Sequence, residues 1–173
     1  APLSFINWRL PRIASTDRCA PSITIAFGSP PITPRLARGS RRRYCAAMRV
    51  GVISDTHLPS LIRSLDELGP ECADFLQSVE LILHSGDIST RSVLDWCEQF
   101  APVIAVRGNH DVFDDERLDE EQVLELEGWH VGMAHDLHRG GGVMSSDVAD
   151  RVFGGAKLDL MIAGDTHVDR LED

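Results

Sequence analysis

The stretch RVGVISDTH, residues 49–57, begins as an apolar run typical of a buried strand and ends in Asp55 and His57. The same Asp-Thr-His triplet recurs at residues 165–167, directly after the apolar run LDLMIAG. Nothing else around the two triplets is duplicated, so we interpret them as two similar strand ends and not as an internal repeat.

Three further apolar runs have the same form, a predicted strand followed at once by polar side chains. VELILHS precedes Gly86-Asp87, PVIAVRG precedes Asn109-His110, and WHVGMA precedes His135. The last of these pairs with QVLELEG as a predicted hairpin that turns at Glu127-Gly128. The carboxyl ends of strands in open α/β sheets form ligand-binding crevices, so we expect five strand ends to meet in one site.

Helical patterns separate the predicted strands. One covers residues 61–78 and should break or kink at Gly69-Pro70. A second begins after Ser89 or Thr90 as the capping residue and ends near Gln99. A third covers residues 146–153. Strands that alternate with helices predict a layered α/β fold.

The charge distribution divides the chain at Met48. Residues 1–47 carry eight arginines, one acidic residue and six of the nine prolines, a net charge of +7, whereas residues 48–173 carry −17. We interpret residues 1–47 as a non-native or disordered extension ahead of a domain at 48–173, with an organellar transit peptide or a basic nucleic-acid-binding arm as alternatives. All three interpretations predict disorder for most of this segment, which contains one strand-like run, SITIAFG.

Composition also restricts location and partners. The four cysteines form no CxxC pair, which favours free thiols in a reducing compartment, and we expect a cytoplasmic location. Apolar runs are all shorter than the ~18 residues of a membrane helix, so no membrane association is expected. The acidic domain disfavours bulk nucleic acid as a partner. The sequence leaves the oligomeric state open, a homo-oligomer included.

The polar strand ends are typical of metal ligands. Carboxylate, imidazole and amide groups all bind divalent transition metals, and residues i and i+2 of an extended chain point the same way. Asp55 and His57 can therefore bind one ion together. The full set supplies enough ligands for two ions, and Asp87, placed centrally, can bridge them.

The motifs SDTH, GDI, GNHD, AHD and GDTH, in this order, resemble the calcineurin-like metallophosphoesterase superfamily, especially its small single-domain bacterial and archaeal phosphodiesterases. The similarity covers residues 48–168. It implies an α/β/β/α sandwich with two divalent metal ions, manganese being preferred and iron, nickel or zinc being alternatives. The family pattern continues into a further strand, so the resemblance also implies that C-terminal strands are missing here.

The resemblance also implies a role for each strand-end residue. The first metal would be held by Asp55, His57 and His167, and Asp87 would bridge both metals. The second would be held by Asn109, His135 and Asp165. His110 would be the catalytic histidine, beside a metal-bound hydroxide that attacks phosphorus.

Two departures from the family pattern affect the second metal. The last motif is usually Gly-His-x-His, whereas this chain has aspartate at Asp165, and carboxylate remains an acceptable ligand. The usual His-Gly pair is replaced by AHDLHRGGG, so His138 is an alternative to His135. We favour His135 because it directly ends the apolar run.

The predicted function is hydrolysis of a small phosphate ester by a metal-dependent phosphodiesterase. The alternative is a scaffold with this fold and a degenerate site, acting through protein contacts. Relatives of that kind typically lose the catalytic histidine, whereas His110 is present here. A DNA-processing nuclease of the same superfamily would need further domains. Arg107 is interpreted either as a phosphate contact or as a structural arginine.

Overall fold

The structure, a computed structural model, describes residues 23–26, 48–60, 63–137 and 147–165 and contains two β-sheets. The first sheet has five strands, β1 Ile23–Ala26, β2 Met48–Ile53, β3 Leu81–His84, β4 Val103–Val106 and β5 Leu118–Asp119. They lie in the order β1-β2-β3-β4-β5, and every pair is parallel. The carboxyl ends of β2, β3 and β4 therefore lie at one edge of the sheet, as the sequence predicts.

Two elements of this sheet bear on the sequence predictions. The run SITIAFG contains β1, which pairs with β2 from Ile23 opposite Met48 to Ala26 opposite Gly51. Apart from β1, residues 1–47 lie outside the described part of the chain, so the disorder predicted for most of them stays a prediction. The two-residue strand β5 was not predicted, because it lies within the acidic stretch DDERLDEE and is too short to show an alternating pattern.

The second sheet has three strands, β6 Glu121–Leu126, β7 Trp129–Ala134 and β8 Leu160–Ile162. The predicted hairpin is confirmed: β6 and β7 are antiparallel, and Glu127 and Gly128 join them with φ angles of 49° and 81°. Two consecutive positive φ angles are typical of the type I′ turn that suits twisted strands. β8 pairs in parallel with β7, which brings the end of β8 beside His135.

The helical segments confirm the break predicted at Gly69-Pro70. A 3-10 helix, Leu65–Leu68, ends where α1, Gly69–Leu76, begins, and Gly69 at the junction has a φ of 78°. Proline is well accommodated in the first turn because its missing N–H would have no helical partner there. Helix α2, Arg91–Cys97, has Thr90 at its N-cap, and α3 covers Asp147–Phe153. The Thr90 hydroxyl contacts Ser92 Oγ at 2.9 Å and makes no capping bond to the backbone.

The core shows the predicted layers. Ile82 of β3 packs with the helices, among residues such as Phe75 and Leu94, whereas its neighbours Leu81 and Leu83 face the second sheet. Successive strand residues point to opposite faces, so one strand serves both layers. A third cluster packs α3 on the outer face of the second sheet, through Ala134, Leu137, Val148 and Phe153. Together these clusters confirm the α/β/β/α sandwich.

The described helices are all too short or too polar to cross a membrane. Cys72 and Cys97 are buried free thiols in α1 and α2. Burial raises the pKa of Cys72 to about 11 and that of Cys97 to about 12, so both stay protonated and unreactive at neutral pH.

Candidate metal centre

Seven of the eight predicted site residues lie at the carboxyl ends of the strands, and the structure brings them into one cluster. Those that follow the first sheet are Asp55, His57, Asp87, Asn109 and His110, and those that follow the second are His135 and Asp165. His167 and the alternative ligand His138 lie outside the described residues.

The carboxylate of Asp87 lies at the centre of the cluster, and Asp87 is only 2% exposed. Its Oδ2 lies 3.3 Å from Nε2 of His57 and 3.3 Å from Nε2 of His135. Nε2 of His110 lies 4.0 Å from the same oxygen. A single carboxylate thus contacts histidines from two different sheets.

Two sets of potential ligand atoms share this carboxylate. The first consists of His57, Asp87 and His110, and the second of Asp55, Asp87 and His135; within each, the ligand atoms lie within 4.8 Å of one another. Asp55 Oδ1 is also 3.8 Å from His57 Nε2. This arrangement is what a bridging carboxylate requires, although the division of the ligands between two ions stays a prediction.

The departure from the family pattern, Asp165, lies beside the second set. Its Oδ1 is 3.8 Å from His135 Nε2, and its backbone N–H donates to Asp55 Oδ1 over 3.3 Å. The side chain is 42% exposed, in contrast to the buried ring of His135. The Asp165 carboxylate therefore lies close enough to join the second set of ligand atoms, although the family usually has histidine at this sequence position.

The orientation of two potential metal ligands, His135 and Asn109, tests whether a metal ion fits. Nδ1 of His135 lies 2.8 Å from the carbonyl oxygen of Ser85, which can only accept, so Nδ1 carries the proton. Nε2 is directed into the cluster, which is the orientation of a metal-bound histidine whose other ring nitrogen is held by a carbonyl oxygen. Asn109 Oδ1 lies 3.0 Å from this nitrogen.

The amide oxygen of Asn109 also faces the two carboxylate oxygens of Asp87 at 3.1 and 3.3 Å. Acceptors that converge in this way repel one another, and a rotation of the amide by 180° would place its NH₂ group there as a donor. A divalent cation satisfies the oxygen as it stands, since amide and carboxylate oxygens and imidazole nitrogen are all suitable ligands. The donor set therefore fits a metal ion.

The backbone of the site is unusual. Four ligand candidates have φ angles in the left-handed region: 56° at Asp55, 46° at His57, 54° at Asp87 and 67° at Asp165. Non-glycine residues seldom adopt this region, and such strain clusters at functional sites. The strained backbone directs these side chains away from the strand direction and into the shared cluster.

Three glycines that had no predicted role make room for the ligands. A Cβ atom at Gly108 would collide with the backbone nitrogen and Oδ1 of Asp87, and one at Gly86 would lie 2.6 Å from the His135 ring. At Gly164, Cβ would lie 2.8 Å from Asp55 Oδ2. Each glycine directly precedes a site residue, which is the signal in the sequence that could have identified them.

His110 differs from the buried ligands in its exposure. Its side chain is 62% exposed, while its backbone N–H donates to Asp87 Oδ1 over 2.9 Å. The ring meets that of His57 edge to face, with centroids 5.1 Å apart. The imidazole is thus anchored at the centre and faces solvent, where a substrate can reach it.

Three other polar residues, Arg107, His84 and His130, lie outside the sets of potential ligand atoms. Arg107 donates from Nη1 to the carbonyl oxygens of Asp111 and Phe113 over 2.9 and 2.8 Å, which favours the structural interpretation over a phosphate contact. His84 is fully buried and His130 is exposed, and neither belongs to the two sets of potential ligand atoms.

Comparisons with known proteins agree with this geometry. Residues 48–173 match the family model described as the calcineurin-like phosphoesterase superfamily domain. A probable metallophosphoesterase from Methanothermobacter thermautotrophicus is 34% identical over 131 residues, which cover 73% of this chain and 72% of that protein. A second, from Methanocaldococcus jannaschii, is 32% identical over 128 residues, 73% of this chain and 62% of the relative, so the chain spans less than two thirds of it.

Among solved structures, Vacuolar Protein Sorting 29 from Cryptosporidium parvum matches with a TM-score of 0.59 and 18% identity, over 72% of this chain and 67% of that one. At this identity the likeness concerns the fold. The family model covers the whole span from Met48 to Asp173, which contains every candidate ligand. The chain belongs to the calcineurin-like phosphoesterase superfamily.

Proposed function

We propose that the protein is a metal-dependent phosphodiesterase that hydrolyses a small phosphate ester at a two-metal site. The observation that carries the proposal is the position of Asp87, whose Oδ2 lies 3.3 Å from both His57 Nε2 and His135 Nε2. A central carboxylate flanked by ligands on both sides is suited to bridging two ions. Paired ions clamp the attacking and leaving oxygens of an in-line displacement at phosphorus.

The chain's residues would hold the ions in two groups. Asp55, His57 and His167 would hold the first, Asn109, His135 and Asp165 the second, and Asp87 would belong to both. Bound ions would supply Lewis-acid stabilisation of the phosphoryl oxygens and would activate water for attack. Mn²⁺ is the metal that the family resemblance implies, with iron, nickel or zinc as alternatives, since carboxylate and imidazole groups together accept all of these ions.

His110 would act on the substrate directly. Its imidazole is exposed beside the centre and its backbone is held by Asp87, so it can reach a phosphate ester without losing its own anchor. When protonated, it would hydrogen-bond a phosphoryl oxygen or give its proton to the leaving-group oxygen. Such acid catalysis typically contributes about 10²–10⁴ in rate.

Charge favours a small substrate. Residues 48–173 carry a net charge of −17, which opposes binding of a long polyanion, whereas the bound ions would locally attract one phosphate group. We also propose a cytoplasmic location, in keeping with the buried free thiols Cys72 and Cys97. A homo-oligomer is compatible with these features.

The test is Mn²⁺-dependent hydrolysis of bis(4-nitrophenyl) phosphate, a generic aryl phosphodiester, by the wild type and matched variants. His110→Ala should lower kcat by about 10²–10³. Mn²⁺ should still bind, because the two proposed ligand groups do not include His110. Asp87→Asn should lose both activity and metal binding. His130→Ala, which removes an exposed histidine outside the site, should behave like the wild type.

Equal inactivity of the wild type, His110→Ala and Asp87→Asn with metal bound would refute the enzymatic proposal and favour the scaffold alternative. If the wild type is active, a screen of cyclic nucleotides and small phosphodiesters would identify its natural substrate class. Comparison with Asp165→His would show whether aspartate at this position changes metal preference at the second site.

A further inference from the structure

The carboxylate of Asp111 joins the two loops that carry the centre of the site. Its Oδ1 accepts a hydrogen bond from the backbone N–H of Ser89 over 2.6 Å, and its Oδ2 accepts one from Gly108 N–H over 2.8 Å. The residue is only 5% exposed. A buried carboxylate with two short bonds to backbone donors is a rigid link, because both oxygens are engaged.

The positions of its two partners give this link its importance. Ser89 follows Asp87 by two residues, and Gly108 directly precedes Asn109 and His110. Asp111 therefore connects the loop of the bridging carboxylate to the loop of a ligand and the catalytic histidine. The bond from His110 N–H to Asp87 Oδ1 joins the same two loops.

The surrounding backbone leaves little freedom to compensate for the loss of this link. Ser89 has a left-handed φ of 68°, a strained conformation that its bond to Asp111 helps to hold. Arg107 donates to the carbonyl oxygens of Asp111 and Phe113, which fixes the chain around the carboxylate. Gly108 packs directly on Asp87.

We propose that Asp111 is a positioning residue that sets the separation between Asp87 and the Asn109–His110 pair and thereby the affinity of the second metal position. The proposal rests on the two-metal function proposed above. Both backbone partners are donors, so the position requires two acceptor oxygens. Asparagine would present an NH₂ group to one N–H and would separate the loops.

The experiment is calorimetric titration of the metal-free full chain with Mn²⁺. Asp111→Asn should weaken Mn²⁺ binding at one position by about 10–100-fold, the typical effect of removing a group that orients metal ligands. The matched control is Asp115→Asn. Asp115 is also a buried carboxylate, with a side chain 4% exposed, but it pairs with Arg117 and Arg91 outside the site.

Two further readouts separate positioning from general loosening. With bis(4-nitrophenyl) phosphate, Asp111→Asn should lower kcat at least tenfold with KM changed less than threefold, because Asp111 does not reach the substrate. In NMR spectra of the metal-free chain, the amide signals of Ser89, Gly108 and His110 should shift. Asp115→Asn should leave the affinity, kcat and these three signals unchanged.

Wild-type Mn²⁺ affinity in a folded Asp111→Asn variant would overturn the proposal, as would an equal loss of affinity in Asp115→Asn. If Asp111→Asn does not fold, Asp111→Glu is the second variant. It keeps both acceptor oxygens but lengthens the link, and unchanged Mn²⁺ binding by that variant would equally overturn the proposal. The titration does not depend on turnover, so inactivity of the wild type would refute the phosphodiesterase and leave the positioning test intact.

Discussion

At the scale of single residues, His84 shows how the interior supports the site without binding metal. The side chain is fully buried at the end of β3, and its Nε2 contacts the hydroxyl of Thr56 over 3.3 Å. Burial, followed by repulsion from His135 and His57, lowers the pKa of His84 to about 3. Its Nδ1 has no hydrogen-bond partner among the described residues. A neutral imidazole therefore packs beneath Thr56, the residue that stands between Asp55 and His57 in the sequence.

This buried histidine makes folding stability depend on pH. The unfolded chain binds a proton at His84 below pH ~6.5, whereas the folded chain does not until pH ~3, so stability falls as the pH falls between these values. From pH 7 to pH 5 the loss should be roughly 2 kcal/mol. Denaturant unfolding in EDTA at the two pH values measures it.

The variant His84→Gln should remove this part of the pH dependence, even if it is less stable at both pH values. His130→Gln is the matched control, since His130 is exposed and should leave the pH dependence of the wild type intact. An unchanged difference between pH 7 and pH 5 in His84→Gln would show that His84 is not held neutral.

At the scale of elements, the junctions between strands and loops determine the site. Gly86 follows β3, Gly108 follows β4 and Gly164 follows β8, each directly before a candidate ligand. The absence of a side chain lets one loop approach another more closely than any other residue would allow. The glycines that let the loops approach and the aspartates with left-handed φ angles therefore lie together at the strand ends and together bring the ligands into one cluster.

Gly108→Ala should disrupt this junction. Its Cβ would meet the backbone nitrogen of Asp87, which cannot move aside like a flexible side chain, so we expect Mn²⁺ affinity to fall at least tenfold. Gly154→Ala is the control, because Gly154 has a positive φ of 63° but open space around its Cβ position. That variant should lose about 1–2 kcal/mol of stability and keep its metal affinity. Equal Mn²⁺ affinity in both variants would refute the steric argument.

At the scale of the whole molecule, the site joins the two sheets. The first sheet supplies Asp87 and its neighbours, whereas the second supplies His135 and Asp165. Hydrogen bonds already link the two sheets here: His135 Nδ1 lies 2.8 Å from the carbonyl oxygen of Ser85, and Asp165 N–H donates to Asp55 Oδ1 over 3.3 Å. A bound ion would connect the same layers, so metal binding and the packing of the sheets should be coupled.

Mn²⁺ should therefore stabilise the folded chain. At a concentration 100 times its Kd, the free energy of unfolding should rise by about 2.7 kcal/mol, and EDTA should reverse the change. Denaturant unfolding with and without Mn²⁺ measures the effect, with Ca²⁺ at equal ionic strength as the control for ligand preference. His135→Ala should reduce the Mn²⁺ effect, and an undiminished effect would place the metal elsewhere.

The sequence was a sufficient guide to most elements of the domain. Runs such as VELILHS are long enough and apolar enough to predict strands, and Glu127-Gly128 has the residues that a tight hairpin turn needs. β5 escaped prediction because two residues carry no periodicity. The break predicted at Gly69-Pro70 is present, but apolar spacing alone does not show that a 3-10 helix precedes it and an α-helix follows it.

By itself, the sequence determined which side chains follow which strands and hence which chemistry is available, because strand periodicity and ligand type are local properties. Asp165 was identified in the same way, as a carboxylate where the family has histidine. Only the tertiary structure decided that Arg107 holds the backbone and that Asp111 links two loops. These facts depend on contacts between residues distant in the chain, and the pairing and packing of the sheets set such distances.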